Sequence, residues 1–181
     1  MESSFTPLHE TRTAIIVLRA PPEHAFPLFE PEGERAWAPG WDPRWLHPLD
    51  GRAQEGGVFV TGAEGQETTW TITAHEPPAH VRYSRVTPGV HAVMVDVRLR
   101  PGEADQTQAQ ITYTLTALTP AGNRAVEEMT SKYDGWMVEW EQSINRALET
   151  AAAGNFGGHP ASRRAPSTPR SVSAEADSVK W

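Results

Sequence analysis

The residues best able to do chemistry in this chain are aromatic rings with a few amphipathic or charged groups set among them. Of seven tryptophans, Trp37, Trp41 and Trp45 cluster ahead of a run of alternating segments, and Trp136 and Trp140 stand one helical turn apart. Large rings line apolar ligand sites well. Period-two alternation puts Trp70, Tyr83, Arg85, Val93 and Tyr113 on or beside one apolar face, with His91 at the start of its segment. Helical spacing puts Tyr133, Met137 and Trp140 on another. Arg85 is the odd member, because a guanidinium on an apolar face requires a partner or water. With Tyr83, His91 and Tyr113 it can orient a ligand carboxylate or carbonyl, or move a proton beside one; it can equally pair with a carboxylate such as Glu67. The position of His91 at a strand start favours exposure. Any single ring is as well explained by plain core packing, so the cluster carries the inference rather than its members.

Other chemistries lack residues to support them. Cysteine is absent, which removes disulfides, thiolate nucleophiles and Cys-type zinc sites. The histidines at 9, 24, 47, 75, 80, 91 and 159 show no paired helical spacing that would bring two metal ligands together. No nucleophile elbow, phosphate loop or dinucleotide fingerprint occurs, so no metal and no cofactor is expected.

The elements that must position these residues follow from periodicity. TRTAIIVLRA at 11–20 is a β-branched run closed by Pro21 and Pro22, which suits a strand buried on both faces or pairing at a seam. A short helix with Ala25, Phe26, Leu28 and Phe29 on its apolar face runs to Pro31, and a second brief helix fits Gly33 to Trp37 before Pro39 and Gly40 force a turn. Read from its own residues, the Trp37–Trp45 stretch is a rigid turn at Pro39, Gly40 and Pro43 whose tryptophans clamp the helices to the sheet rim, with Glu34 and Arg35 as surface charges. From Val58 the period becomes two, with turns at Gly62 to Gly65, Pro77 to Ala79, Pro88 to Gly89 and Pro101 to Asp105, which is the spacing of an antiparallel meander with one dry face. Thr119 and Pro120 read as a cap and first turn, after which Val126, Met129, Tyr133, Met137, Trp140, Ile144 and Leu148 recur every three or four residues. This predicts a helix of about 30 residues, to Gly154, long enough to form the second layer of the core.

Length and composition agree with one domain over residues 1–153. Hydrophobic residues make up 38% and charged residues 22% of the 181, a globular balance. The overall charge is −7; residues 154–181 contribute +2, leaving −9 on residues 1–153, and an acidic body repels phosphate backbones, so nucleic acid is not an expected partner. Residues 154–181 turn to Pro, Ser, Ala and Arg without apolar periodicity and read as a disordered tail. No run reaches the ~20 apolar residues of a membrane span, and the first residues lack a basic region followed by an apolar one, so a cytoplasmic location is expected.

Strand, two short helices, a run of strands and one long helix make an α+β order, and several strings resemble the START-like helix-grip superfamily, also called SRPBCC. They are PPEHAFPLFEPEGERAWAPGWDP at 21–43, RYSRVTPG at 82–89, TYTLTALTPAGN at 112–123 and VEW at 138–140 within the last helix. The resemblance spans roughly residues 10–150 and is similar to an uncharacterised bacterial branch. It implies a curved antiparallel sheet of about seven strands wrapped round the C-terminal helix, with a ligand cavity between them and the Trp37–Trp45 region near its mouth, where a lid is the alternative to a rigid turn. It implies no single reaction. The expected function is binding or transport of a hydrophobic small molecule, whether lipid, acyl or polyketide-like. A cyclase- or dehydratase-like enzyme using proton transfer in that cavity is the alternative, and a protein-interaction domain is a third. A twisted sheet cannot touch a straight helix everywhere, so open volume is expected beneath the helix.

Overall fold

A computed structural model describes residues 5–62 and 66–154. The tail at 154–181, apart from Gly154, and the centre of the Gly62 to Gly65 turn fall outside the described residues. Strand β1 (His9–Leu18) is followed by helix α1 (Pro22–Ala25), a 3₁₀ turn (Phe26–Phe29) and helix α2 (Pro31–Glu34). Six more strands come next, β2 (Arg44–His47), β3 (Val58–Thr61), β4 (Thr68–Glu76), β5 (His80–Thr87), β6 (His91–Pro101) and β7 (Thr107–Ala117), and then helix α3 (Pro120–Gly154). The seven strands form one antiparallel sheet in the order β1-β7-β6-β5-β4-β3-β2. This is the helix-grip fold.

Alternation decides which side chains face in. Along β6 and β7 every second residue is buried, so Val93, Val95, Val97 and Leu99 share a face with Ile111, Tyr113 and Leu115. Register then aligns whole rows across the sheet. Phe59, Trp70, Arg85, Val93 and Leu115 are successive partners in one row, and Ile72, Tyr83, Val95 and Tyr113 in the next. A bulge between Ile72 and Ala74 interrupts the β4–β5 pairing and bends the strand.

Helix α3 extends for 35 residues, or about 52 Å, and buries Val126, Met129, Tyr133, Met137, Trp140 and Ile144. The Thr119 hydroxyl oxygen accepts from the Gly122 amide at 3.0 Å, the expected cap, and its own proton goes to the Gly89 carbonyl at 2.7 Å. Gly122 is required there, since a Cβ would stand 1.9 Å from the Val90 carbonyl oxygen. The helix lies chiefly over β1 and β7, meets β6 lightly, and leaves the inner face of β3 to β5 to other groups.

Three local expectations change. Strand β1 is an edge strand, not one buried on both faces: it pairs with β7 alone, and Ile15 and Val17 face outward, 53% and 38% exposed. Its free edge is met by α3, where Glu141 accepts from the Val17 amide at 2.8 Å, while Asn145 accepts from the Arg19 amide at 2.8 Å and donates to the Val17 carbonyl at 3.0 Å. The second short helix starts two residues earlier than expected, at Pro31, because proline fits a first helical turn. Strand β2 falls in what the sequence suggests is turn and lid; it forms because the edge of β3 offers it unpaired backbone groups.

Candidate functional site

The inner face of β4, β5 and β6 carries the least settled chemistry in the molecule. Arg85 sits there because β5 keeps its alternation through this residue, and its register partners Trp70 and Val93 face inward with it. It is 1% exposed. Among the described residues none of its guanidinium nitrogens, Nε, Nη1 or Nη2, has a hydrogen-bond partner. Its described neighbour is a ring face: the guanidinium carbon lies 5.0 Å from the Trp70 centroid. Burial pushes its pKa down, yet a guanidinium stays charged. Glu67, a possible partner on sequence grounds, instead pairs with Arg44 on neighbouring β2.

Rings build the surrounding shell. Trp70 stacks on Phe59 at 5.6 Å and 10°, and Trp41 meets Trp70 edge-on at 5.3 Å. Tyr83 stands edge-on to Trp70 at 6.0 Å, and its hydroxyl donates to the Phe29 carbonyl at 2.7 Å. That bond commits the hydroxyl to holding the 3₁₀ turn on the sheet. Tyr113, across Val95 from Tyr83, contacts Tyr133 at 5.6 Å and Trp140 at 6.4 Å. Burial raises its hydroxyl pKa, the Arg85 charge opposing and the Glu34 charge adding to the rise. Tyr133 is committed like Tyr83, donating to the Ile111 carbonyl at 2.6 Å.

His91 is buried, not exposed, at 7%. Opposite it in the β5–β6 register is Thr87, whose hydroxyl meets that of Thr68 at 2.8 Å. Burial and then the Arg85 charge push the His91 pKa down to about 4, against a backbone hydrogen bond that raises it. The ring is therefore neutral near pH 7, and its Nδ1 has no partner among the described residues.

Glu34 is the residue that sequence reasoning misplaced. It is buried, and burial raises its carboxyl pKa well above the ordinary value, so the acid form is favoured. Its neighbour Arg35 does lie at the surface, paired with Glu32 and Asp42. No period in the sequence marks the burial of Glu34; Gly33 beside it permits the close approach that buries it, since a Cβ there would stand 1.8 Å from the Pro27 carbonyl oxygen. That approach packs α2 onto the 3₁₀ turn.

Trp70, Tyr83, Arg85, His91, Val93 and Tyr113 thus share the inner sheet face, with Trp41 pressed onto Trp70. Tyr133, Met137 and Trp140 approach from α3, and Trp37 meets Trp140 at 5.1 Å. Trp136 is half-buried against the margin of this core. The indole N–H groups of Trp37 and Trp41 donate to the carbonyls of Leu28 and Pro31, both at 2.7 Å, so each ring clamps the segment that precedes it.

Where open volume is expected between sheet and helix, these rings pack instead, since indoles are bulky enough to take up the mismatch of curvature. Two described depressions lie along the margins of α3. One, of about 470 Å³, runs between the turn at Ala36, Trp37 and Pro39 and the helix from Ser143 to Ala151. The other, of about 210 Å³, lies between β1 and the helix around Met137. Neither includes a residue of β4, β5 or β6.

These inward polar groups are thus carried on the concave face of a helix-grip fold. The chain is similar in structure to a point mutant of norcoclaurine synthase from Thalictrum flavum in complex with a transition-state analogue, at a TM-score of 0.59 and 12% identity, over 82% of this chain and 99% of that one. It is similar also to a Staphylococcus aureus protein of unknown function, at a TM-score of 0.58 and 13% identity, over 81% and 98% of the two chains. A Chromobacterium violaceum protein aligns at a TM-score of 0.51 and 20% identity, over 78% and 96%. No family model and no curated protein matches the sequence.

Proposed function

We propose that this protein binds a hydrophobic small molecule, lipid, acyl or polyketide-like, against the inner face of β4, β5 and β6. The observation that carries the reading is the unpaired polarity inside a shell of rings: Arg85 and the Nδ1 of His91 are buried without hydrogen-bond partners among the described residues. Such groups are costly to bury, and a guest among them would offset that cost. Rings around them supply the apolar contact that such sites use.

Entry requires movement, because the rings fill the interior. The groove of about 470 Å³ beside α3 has Trp37 as one wall, and the same ring touches Trp140 in the core, so displacing Trp37 joins groove to interior. Residues 1–153 act in this reading as one cytoplasmic domain, with no membrane-crossing helix among the described residues.

Native mass spectrometry of protein purified from its own host, followed by solvent extraction, tests the reading. A retained apolar compound is expected; protein that comes away empty and takes up no apolar probe would end it.

One observation favours a second reading, a proton-transfer enzyme in the same place. Glu34 is a buried carboxyl held toward its acid form within electrostatic reach of Tyr113, which Arg85 also reaches. An acid and a cation that both act on one buried hydroxyl suit protonation of a leaving group or enolate. Tyr83 is not available for that role while its hydroxyl holds Phe29.

A further inference from the structure

We infer that the guest carries one negative charge on a planar, carboxylate-like head, seated on the Arg85 guanidinium with its apolar body among Trp41, Trp70 and Tyr113. The inference rests on the small-molecule reading above and narrows it to monoanionic acids.

Three observations carry it. Arg85 is 1% exposed and presents donors with no acceptor among the described residues, while Glu67, the partner suggested by the sequence, is taken by Arg44. The guanidinium carbon lies over the Trp70 ring at 5.0 Å from its centroid, and its N–H donors lie in the guanidinium plane, where their fork matches two carboxylate oxygens. Interior charge then sets the valence. Glu34 is held toward its neutral acid by burial, His91 is neutral with its pKa near 4, and burial pushes the Tyr83, Tyr113 and Tyr133 hydroxyls upward. Burial thus works against ionisation of every acid among these groups, and Arg85 is the member that keeps a charge, a single positive one. A monoanion neutralises it; a neutral guest leaves the cation uncompensated, and a dianion brings one charge too many into a region closed to water.

Three probes with one ring system separate these cases. Binding of 2-naphthoate, 2-naphthamide and 2-naphthyl phosphate is measured by calorimetry at pH 8, where the phosphate is a dianion. Wild-type protein is expected to bind naphthoate at least about tenfold more tightly than the amide or the phosphate, a difference of about 1.4 kcal/mol. Arg85→Met is expected to abolish the preference, so that naphthoate binds no more tightly than the amide. Arg85→Lys, which keeps the charge but not the fork, is expected to retain only part of the preference. Equal binding of acid and amide by wild type, or an acid preference that survives Arg85→Met, overturns the inference and leaves the small-molecule reading standing. Tighter binding of the phosphate overturns the valence argument. Binding of none of the three overturns both the inference and the reading beneath it.

Discussion

Over β1 and β7 the sheet is covered by α3, and the polar groups that cross between them are paired: Tyr133 with the Ile111 carbonyl, Asn145 with Val17 and Arg19, Glu141 with the Val17 amide. Over β4, β5 and β6 the cover is a layer of rings, and the polar groups beneath it, Arg85 and the Nδ1 of His91, are not paired among the described residues. The same sheet is closed on one side by bonds that meet its polar groups and on the other by rings that, although Tyr83 and Trp41 are tied to backbone carbonyls, leave Arg85 and His91 unmet. Fixed hydrogen bonds make the first side costly to disturb. Unmet ones make the second costly to leave empty, and mutations on the two sides should therefore change stability in opposite directions.

Asn145→Ala should give the largest effect, because it strips the partners from two backbone groups at the β1 edge. A loss of about 3 kcal/mol is expected in urea unfolding, from roughly 1–3 kcal/mol for each group left unsatisfied. A loss near zero would mean that water replaces Asn145 freely and that this side is not fixed as described. Arg85→Met should do the reverse in ligand-free protein, raising stability by on the order of 1–2 kcal/mol as an unpaired buried charge is replaced by a chain of similar length. If the variant is instead destabilised by several kcal/mol, Arg85 has a structural partner and the contrast between the two sides fails. Tyr133→Phe sharpens the first side alone, with an expected loss of about 1 kcal/mol for its bond to the Ile111 carbonyl.

Acid and base should separate two residues of the unpaired side. His91 has a folded pKa near 4 against an ordinary 6.5, so between those values the unfolded chain binds the proton first. Its contribution is intact above pH 6.5 and is lost as pH falls toward 4. Glu34 has the opposite sign: its folded pKa lies above the ordinary value, so stability falls as pH rises from 4.5 through the raised value. His91→Gln should flatten the acid limb of the stability profile, and Glu34→Gln the slope on the other side. Unchanged limbs in both variants would show that neither group is as desolvated as the structure makes it.

Most of the framework was legible because its periods are long and regular. Alternation through Thr107–Ala117 and His91–Pro101, the spacing from Val126 to Leu148, and the cap at Thr119 each repeat a local rule several times. Arg85 was legible as an anomaly, since a strict period of two allows one unexpected residue to be placed on a face. The Trp37 and Trp41 rings could be assigned to the neighbourhood, but not the carbonyls they would seek, which depend on how the 3₁₀ turn packs. Glu34 was not legible. A four-residue helix has no periodicity to speak of, and its burial is decided by the approach of Gly33 to Pro27 and by rings from elsewhere. Strand β2 was missed for a similar reason: RWLH shows no alternation in burial, and its pairing is supplied by β3 rather than by its own side chains. The buried His91 shows the limit of arguing exposure from a strand start when α3 begins against the neighbouring turn.

The anchoring of α3 also decides where this protein can vary. Its beginning is latched to the β5–β6 turn through Thr119 and the close seat of Gly122 on Val90, and its later turns are tied to β1 through Glu141 and Asn145. Fastened at two places, the rod is the frame of a doorway rather than its leaf. Adjustment to a guest of another size then falls to the stretch from Pro31 to His47, where Trp37 and Trp41 hang from the backbone carbonyls of Leu28 and Pro31 and Trp45 from the Glu32 carboxylate. Descendants of this chain could change what they admit by rewriting those few positions while the rest of the scaffold stays as it is.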